Sequence, residues 1–307
     1  MDIFIQQVIN GLTLGAVYAV VALGYTMVYG IIQLINFAHG EVVMFGAMVA
    51  FSVISALAPT GLPPLLIVLV ATACAIPVCM LLGYAMERLA YRPLRGAPRL
   101  APLITAIGVS MILQHTAMMI WSRNPLAFPQ IIKPRTYAIA GAAITDVQIA
   151  ILVISVVMMA GLAVLVYRTR LGAAMRATAQ NPQVAALMGI DADRVIAFTF
   201  VVGAGLAAVA GVMVASYYGI AHYTMGSQLG LKAFCAAVLG GIGNVPGAML
   251  GGVLLGLVEA LGAGYIGDLT GDVFGSNYQD VFAFIVLIGV LVFRPSGLLG
   301  ERVGDRS

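Results

Sequence analysis

Few side chains within or directly beside the long uncharged stretches of this sequence could hold or move a proton. They are His39, Glu41, His115, His222, Lys232 and Glu259. Metal binding would need several His or carboxylate ligands at close spacing, as in HExxH on one helix. The three histidines are scattered, and His39 and Glu41 have the wrong spacing for one helical face. The sequence also contains no GxSxG or other nucleophile–base pattern. We therefore expect neither a metal site nor an enzymatic activity.

The rest of the chain is unusually apolar. Of its 307 residues, 62% are hydrophobic and 9% are charged. A soluble domain typically carries about 25% charged and about 45–50% apolar residues. The composition therefore excludes an ordinary soluble enzyme, a nucleic-acid binder and a disordered chain, and it indicates a polytopic protein in contact with membrane lipid.

The uncharged stretches predict an all-α, polytopic transmembrane helix bundle with eight or nine membrane segments, because a spanning helix needs about 20 apolar residues. Residues 1–307 are expected to form a single transmembrane domain. We interpret the short Ala233–Ile242 piece as half a helix or a re-entrant segment. The predicted segments are Phe4–Ile32, Val42–Leu57, Leu65–Met86, Ala101–Trp121, Val147–Tyr167, Val195–Tyr217, Ala233–Ile242, Gly247–Ile266 and Val281–Phe293.

The basic residues predict the orientation of the chain. Eleven of the 15 basic residues lie in segments that can share one side, and the positive-inside rule places that side in the cytoplasm. The C-terminus is then cytoplasmic, and the N-terminus is outside with nine crossings or inside with eight. The eleven are Arg88, Arg92, Arg95, Arg99, Arg168, Arg170, Arg176, Arg194, Arg294, Arg302 and Arg306.

Two polar, glycine-containing stretches interrupt the helical pattern, Asn36–Glu41 and Gly240–Gly247. Non-helical backbone at membrane depth is tolerated only inside protein or beside a water-filled cavity, and paired interruptions indicate a transport pathway. The candidate pathway residues are Asn36, His39, Glu41, Asn244 and Glu259. Two alternatives stay open: Glu41 stabilises the start of a helix through the helix dipole, and Glu259 is a packing partner.

Small side chains are expected to serve packing. Glycines four residues apart, such as Gly252 and Gly256, let helix backbones approach closely. Cys74, Cys79 and Cys235 lie in apolar segments without a CxxC pair, and we interpret all three as small buried hydrophobic residues.

The loop at about residues 168–194 has the sequence of an ordered helical hairpin. We predict a short helix over Gly172–Gln180 and then an Asn181-Pro182 pair, in which Asn caps the second helix and Pro occupies its first turn. That helix runs to Leu187, and Gly189 ends it. Ala177 and Ala185 keep the surface of the hairpin smooth.

The pattern Arg-Ala-x-x-x-Asn-Pro-x-x-Ala-x-x-x-Gly-Ile, from Arg176 to Ile190, resembles the cytoplasmic coupling loop of ABC-importer permeases for branched-chain amino acids. The similarity extends in order over nearly the whole chain and is of the LivH type. The other stretches that carry it are Asn10–Ala19, Ala22–Gly30, Ile35–Glu41, Leu239–Ala248 and Phe293–Gly300.

This resemblance implies the ABC importer permease fold and the import of leucine, isoleucine or valine across the bacterial inner membrane by alternating access. It also implies a second, related permease, two cytoplasmic ATPases that use ATP and Mg, and a periplasmic binding protein. No cofactor is expected on this chain. The coupling loop would transmit motion from the ATPases through Gly172, Arg176, Ala177, Asn181, Pro182, Ala185 and Gly189.

Other cargoes and another energy source remain open. Relatives of this kind move urea, short amides or other amino acids, and a secondary transporter would use His39, Glu41 or Glu259 as an ion relay. An apolar cargo side chain favours a largely apolar path. From the sequence we therefore expect no paired charge cluster for the ammonium and carboxylate groups of an amino acid.

Overall fold

The computed structural model describes residues 2–98, 100–132, 134–139, 141–270 and 278–300. These residues are predominantly α-helical, which confirms the predicted fold class. Arg99, Lys133, Arg302 and Arg306 lie outside the described residues. The helices are α1 Asp2–Ile32, α2 His39–Leu57, α3 Pro64–Met86, α4 Leu100–Ile120, α5 Asp146–Arg168, α6 Arg170–Gln180, α7 Pro182–Leu187, α8 Ala192–Tyr218, α9 Met225–Gly240, α10 Val245–Thr270 and α11 Gln279–Phe293.

Seven helices of the described residues are long and apolar enough to cross a membrane. The predicted segments Ala233–Ile242 and Val281–Phe293 correspond to α9 and α11, which have only 16 and 15 residues. Both are shorter than the about 20 residues of a straight crossing. The seven candidate spans are Ile3–Ile32, His39–Thr60, Pro64–Leu94, Leu100–Ile120, Asp146–Arg168, Ala192–Tyr218 and Val245–Tyr265.

Short strands occupy two of the connections between helices. Strands β2 (Thr136–Ile139) and β3 (Ala142–Thr145) form an antiparallel hairpin in which Thr136 lies opposite Thr145. Strands β1 (Leu126–Ala127) and β4 (Ile220–Ala221) form a second antiparallel pair. Strand pairing satisfies backbone N–H and C=O groups where the chain is not helical.

Both predicted interruptions are present. Helix α1 ends at Ile32, Gln33 has a positive φ of 52°, and α2 begins at His39. Helix α9 ends at Gly240, and Gly241 and Gly243 have φ values of 105° and 93° before α10 begins. Such backbone angles strongly favour glycine.

The described chain separates into two compact units. The first contains Met1–Thr26, Pro134–Met159 and Lys232–Ser307. In it α1 packs directly on α10, since a Cβ atom added to Gly15 would lie 2.7 Å from the Cα atom of Val253. Gly252 and Gly256 meet the backbone of α1 at Ala19 and Gly15, which confirms their packing role.

The second unit contains Met27–Lys133 and Ala160–Leu231. Its centre is formed by α2, α3 and α8, which contact one another extensively. A Cβ atom on Gly46 of α2 would lie 2.7 Å from the Cα atom of Ala208, and one on Gly83 of α3 would lie 2.9 Å from the carbonyl oxygen of Phe200. Small residues therefore set the spacing of these helices.

The cysteine prediction is correct for two residues and wrong for the third. Cys79 and Cys235 are buried, but Cys74 is exposed. The buried face of α3 passes through Ile67, Ala71, Ala75 and Cys79. Cys74 lies beside this stripe of four-residue spacing rather than on it, so its side chain points away from the core.

We predict that Gly46→Leu lowers the thermal unfolding midpoint of the chain in detergent, because the new side chain meets the α8 backbone at Ala208. The expected loss is about 1–3 kcal/mol. Gly108→Leu is the matched control, since Gly108 lies in α4 and a Cβ atom there has no neighbour within 4 Å. Both variants replace Gly by Leu inside a helix, so both gain the same helix propensity. Equal midpoints for the two variants would contradict the close contact.

Candidate functional site

The predicted helical hairpin is present and consists of α6 (Arg170–Gln180) and α7 (Pro182–Leu187). The Thr169 side chain caps α6 by accepting a hydrogen bond from the Gly172 N–H. The Asn181 side chain caps α7 by accepting from the N–H groups of Gln183 and Val184 at 3.0 and 3.1 Å. Gly189 follows with a φ of 80°. The predicted capping geometry is therefore confirmed, and α6 begins two residues earlier than predicted.

The hairpin folds back against the end of α5. A Cβ atom on Gly172 would collide with the carbonyl oxygens of Leu165 and Val166, so the close approach requires glycine. The exposed Arg176 donates a hydrogen bond to the Val166 carbonyl oxygen, and its guanidinium carbon lies 6.0 Å from the Tyr167 ring centroid. Arg176 thus holds the hairpin to α5.

The hairpin also presents apolar side chains that sequence reasoning missed. Leu187 and Met188 are 86% and 79% exposed, and Val184 is also exposed, whereas Ala177 is half-buried and Ala185 is buried. Contiguous exposed apolar residues mark interaction sites. The signal in the sequence was the run Val184 to Met188, which has more apolar residues than one face of so short a helix can bury.

The chain that follows the hairpin is fixed by an ionic network in the second unit. Asp193, at the start of α8, accepts hydrogen bonds from Arg92 and Arg95, and Arg95 also pairs with the buried Glu87. Glu87 opens a π-helical turn, Glu87–Tyr91, after α3. π-Helical turns are rare in proteins, and those that occur are often found at functional sites. The sequence placed these arginines on one side but could not show their partners.

Asn36 stabilises the interruption before α2. Its side-chain oxygen accepts hydrogen bonds from the Ala38 N–H at 3.1 Å and from the Tyr91 hydroxyl at 2.8 Å. Asn36 is 3% exposed. This predicted pathway residue therefore has a structural contact, and its pathway role stays a prediction.

Glu41 lies in the first turn of α2 and is fully buried. Its Oε1 atom accepts hydrogen bonds from Ser110 at 3.0 Å and from Gln114 at 2.7 Å, both on α4. The predicted position at a helix start is confirmed, but the side chain binds another helix. Ser110 and Gln114 were missed, although two polar residues four apart in an apolar helix are a usable signal. His39 is also buried.

The first unit contains the paired charge cluster that we expected to be absent. Lys232 Nζ lies 2.6 Å from Glu259 Oε1 and 2.7 Å from Asp280 Oδ1, and 3.4 Å from the Tyr18 hydroxyl. Glu259 is 1% exposed. The expectation was wrong because Lys232 and Glu259 are 27 residues apart and only the packing of α9, α10 and α11 brings the three charges together. The predicted role of Glu259 in a transport pathway stays a prediction.

Asn244 holds the second interruption. Its Oδ1 atom accepts from the Gly247 N–H at 3.0 Å, and its Nδ2 atom donates to the Leu299 carbonyl at 2.7 Å. The N–H groups of Leu298 and Leu299 donate to the carbonyls of Leu239 and Gly240, the last residues of α9. Residues after α11 therefore cap α9, and the pathway role of Asn244 stays a prediction.

Within the described ranges, no group of three His, Cys, Asp or Glu residues could hold a metal ion. A cavity of about 300 Å³ lies in the second unit beside the ionic network, and its lining includes Tyr84, Arg88 and Asp191.

Residues 7–291 match the family described as "Branched-chain amino acid transport system / permease component". The chain is 49% identical over 304 residues to the high-affinity branched-chain amino acid transport system permease protein BraD of Pseudomonas aeruginosa, covering 97% of this chain and 96% of BraD. It is 44% identical to the LivH proteins of Escherichia coli (strain K12) and Salmonella typhimurium, with the same two coverages. No solved structure matches the chain.

We predict that Asn181→Ala weakens the hairpin, because α7 loses the acceptor for its first N–H groups. A lost cap costs about 1 kcal/mol, so hydrogen–deuterium exchange of the α7 amides should accelerate several-fold. Asn181→Asp preserves the acceptor and is the matched control. Unchanged exchange in the Ala variant would show that Asn181 does not stabilise α7.

Proposed function

Because the chain belongs to the family of branched-chain amino acid transport system permease components, we propose that it is the membrane-spanning subunit of an ATP-driven importer of leucine, isoleucine and valine. The observation that carries this proposal is the similarity to BraD and LivH over 97% of the chain. Helices that can cross a membrane and an ordered hairpin with exposed apolar residues are the parts such a subunit needs.

The motor of this transporter is a separate pair of ATPase subunits. A phosphate loop of the form GxxxxGK[ST] needs a lysine after glycine. The sequence contains only Lys133 and Lys232, and neither has that context. ATP and Mg therefore bind to the ATPases, and this chain carries no cofactor.

A second, related permease and a periplasmic binding protein complete the proposed importer. Many large apolar side chains of α3, α4 and α5 are exposed, and in a membrane such surfaces are covered by lipid or by another subunit. They include Leu65, Leu69, Leu81, Ile104, Met111, Ile112, Met119, Val153, Val156 and Val157.

The α6–α7 hairpin is the proposed contact with the ATPases, on the cytoplasmic side of the bacterial inner membrane. Arg88, Arg92, Arg95, Arg168, Arg170, Arg176, Arg194 and Arg294 support this orientation through the positive-inside rule, which also makes the C-terminus cytoplasmic. ATP-driven closure of the ATPases moves the hairpin, which drives alternating access. Leu187 and Met188 provide its apolar contact surface.

The complete importer in proteoliposomes tests this function. We expect leucine uptake only with ATP and Mg on the ATPase side and binding protein on the other side, with competition by isoleucine and valine but not by urea. Uptake that follows a proton or sodium gradient without ATP would contradict the ATP-driven mechanism. Efficient urea competition would contradict the substrate class.

Arg176→Glu should uncouple ATP hydrolysis from uptake. The substitution removes the hydrogen bond to Val166 and reverses the charge of the hairpin. We expect at least about a tenfold loss of leucine transported per ATP hydrolysed, within the range over which one site commonly affects another. ATP hydrolysis should continue.

Arg170→Glu is the matched control for this prediction. Arg170 is exposed at the start of α6, where an acidic residue suits the helix dipole. We expect this variant to keep the wild-type ratio of leucine to ATP. A wild-type ratio in Arg176→Glu as well would show that Arg176 has no part in coupling.

A further inference from the structure

The first turns of two helices lie against each other in the second unit. Helix α2 starts at His39 and α9 starts at Met225, and Gly40 and Gly226 are their second residues. A Cβ atom on Gly226 would lie 2.5 Å from the Gly40 carbonyl oxygen and 2.9 Å from the Cα atom of Glu41. The first turns of α2 and α9 are thus in backbone contact.

The first turns of α2 and α9 both carry positive partial charge where they meet. The first N–H groups of a helix lack partners within the helix, and the macrodipole adds to their field. The N-cap residue of α2 is Ala38, which makes no side-chain cap. Backbone carbonyls already accept from the N–H groups of His39, Glu41 and Met225. Among the described residues, the N–H groups of Gly40 and Gly226 remain as donors in these two turns. Helix N-termini of this kind bind carboxylates and phosphates.

Glu41 adds a buried carboxyl group at this place. Its Oε1 atom is occupied by Ser110 and Gln114, whereas the buried Oε2 atom has no hydrogen-bond partner among the described residues. Oε2 points at α9, since it lies 2.6 Å from the position of a Cβ atom on Gly226. In the part of the chain that the structure describes, no Lys or Arg forms an ion pair with Glu41.

A buried carboxylate oxygen without a donor is costly. The preferred partner of such an oxygen is a cationic donor, because charge-assisted hydrogen bonds are the strongest. The place therefore combines an acceptor for a cation with donors for an anion, within the first turns of two helices. A free α-amino acid carries these two charges on neighbouring atoms.

We infer that the meeting point of α2 and α9 is an intramembrane binding site for the zwitterionic head of an α-amino acid. Glu41 Oε2 accepts from the ammonium group, and the N–H groups of Gly40 and Gly226, in the first turns of α2 and α9, donate to the carboxylate. Ser110 and Gln114 orient Glu41 through Oε1 and are positioning residues. This inference rests on the proposed function, because it names where that cargo is held.

The structure holds this site closed. The Gly40–Gly226 contact leaves no room for even one added carbon atom at Gly226. An amino acid enters when the first turn of α9 moves away from α2, which breaks few side-chain contacts because both residues are glycines. Alternating access requires a contact that can be closed or open, and the Gly40–Gly226 contact can serve as one.

The Lys232 cluster is a poorer site for the same ligand. Its cation already pairs with two carboxylates, Glu259 and Asp280. A zwitterion would have to displace one of these internal pairs before it gained its own contacts, and breaking a buried pair is strongly unfavourable. Glu41 Oε2 requires no such exchange.

Ligand-induced thermal shifts of the complete transporter in nanodiscs, without binding protein, test the inference. The ligands are millimolar leucine, 4-methylpentanoate, which lacks the ammonium group, and 3-methylbutylamine, which lacks the carboxylate. We expect leucine to raise the unfolding midpoint more than either analogue. Glu41→Gln should weaken leucine binding about ten- to hundredfold and abolish the preference for leucine over 4-methylpentanoate.

Asp146→Asn is the matched control, because Asp146 is also an acid in the first turn of a predicted span, α5. It should keep the preference for leucine. Equal shifts by leucine and 4-methylpentanoate in the unaltered complex, or no shift by leucine, would overturn the inference. So would a wild-type preference in Glu41→Gln.

The ligand series on the unaltered complex decides the question even where Glu41→Gln does not fold. Leucine uptake by the same complex with binding protein and ATP is measured in parallel. Uptake without a leucine-specific shift overturns only the intramembrane site. Absence of both overturns the proposed function as well.

Discussion

The structure depends on one constraint: inside an apolar medium, every polar group must find its partner within the protein. Continuous helices meet this constraint by themselves, but interrupted helices do not. At the first interruption the partner is the Asn36 side chain, which binds the Ala38 N–H and Tyr91. At the second, Asn244 and the backbone of Leu298 and Leu299 bind the ends of α9 and α10. Both asparagines accept through the side-chain oxygen, and Asn244 also donates through its amide nitrogen.

The same constraint explains where the glycines lie. In lipid there is no hydrophobic driving force between helices. They associate by close packing, which small residues permit. In the first unit Gly15 meets Val253, and in the second Gly46 meets Ala208. The contact between Gly40 and Gly226 differs because both residues belong to the first turn of a helix. There the close approach concerns N–H groups at helix starts as well as packing.

Features that depend on neighbouring residues could be predicted from the sequence, and features that depend on distant ones could not. The interruptions, the Asn181 cap and the end of the hairpin at Gly189 follow from local backbone chemistry. The partners of Glu41 are 69 and 73 residues away, so a local pattern can mark Ser110 and Gln114 as unusual but cannot pair them with Glu41. The start of α9 was missed because the polar residues after Met225 interrupt the apolar pattern. The tertiary surroundings of this segment, rather than its intrinsic propensity, make it helical.

The hairpin and the start of α2 are joined by side-chain contacts of the second unit. Each step is an ion pair, a hydrogen bond or a short turn, and the residues in order are Asp193, Arg95, Glu87, Tyr91, Asn36 and Ala38. Coupling between distant places needs such contiguous contacts together with an element that has two arrangements. The ionic network holds the start of α8, which directly follows the hairpin. These contacts form a continuous path from the residues after the hairpin to the first turn of α2, where the Gly40–Gly226 contact has no side chains of its own to hold the two helices together.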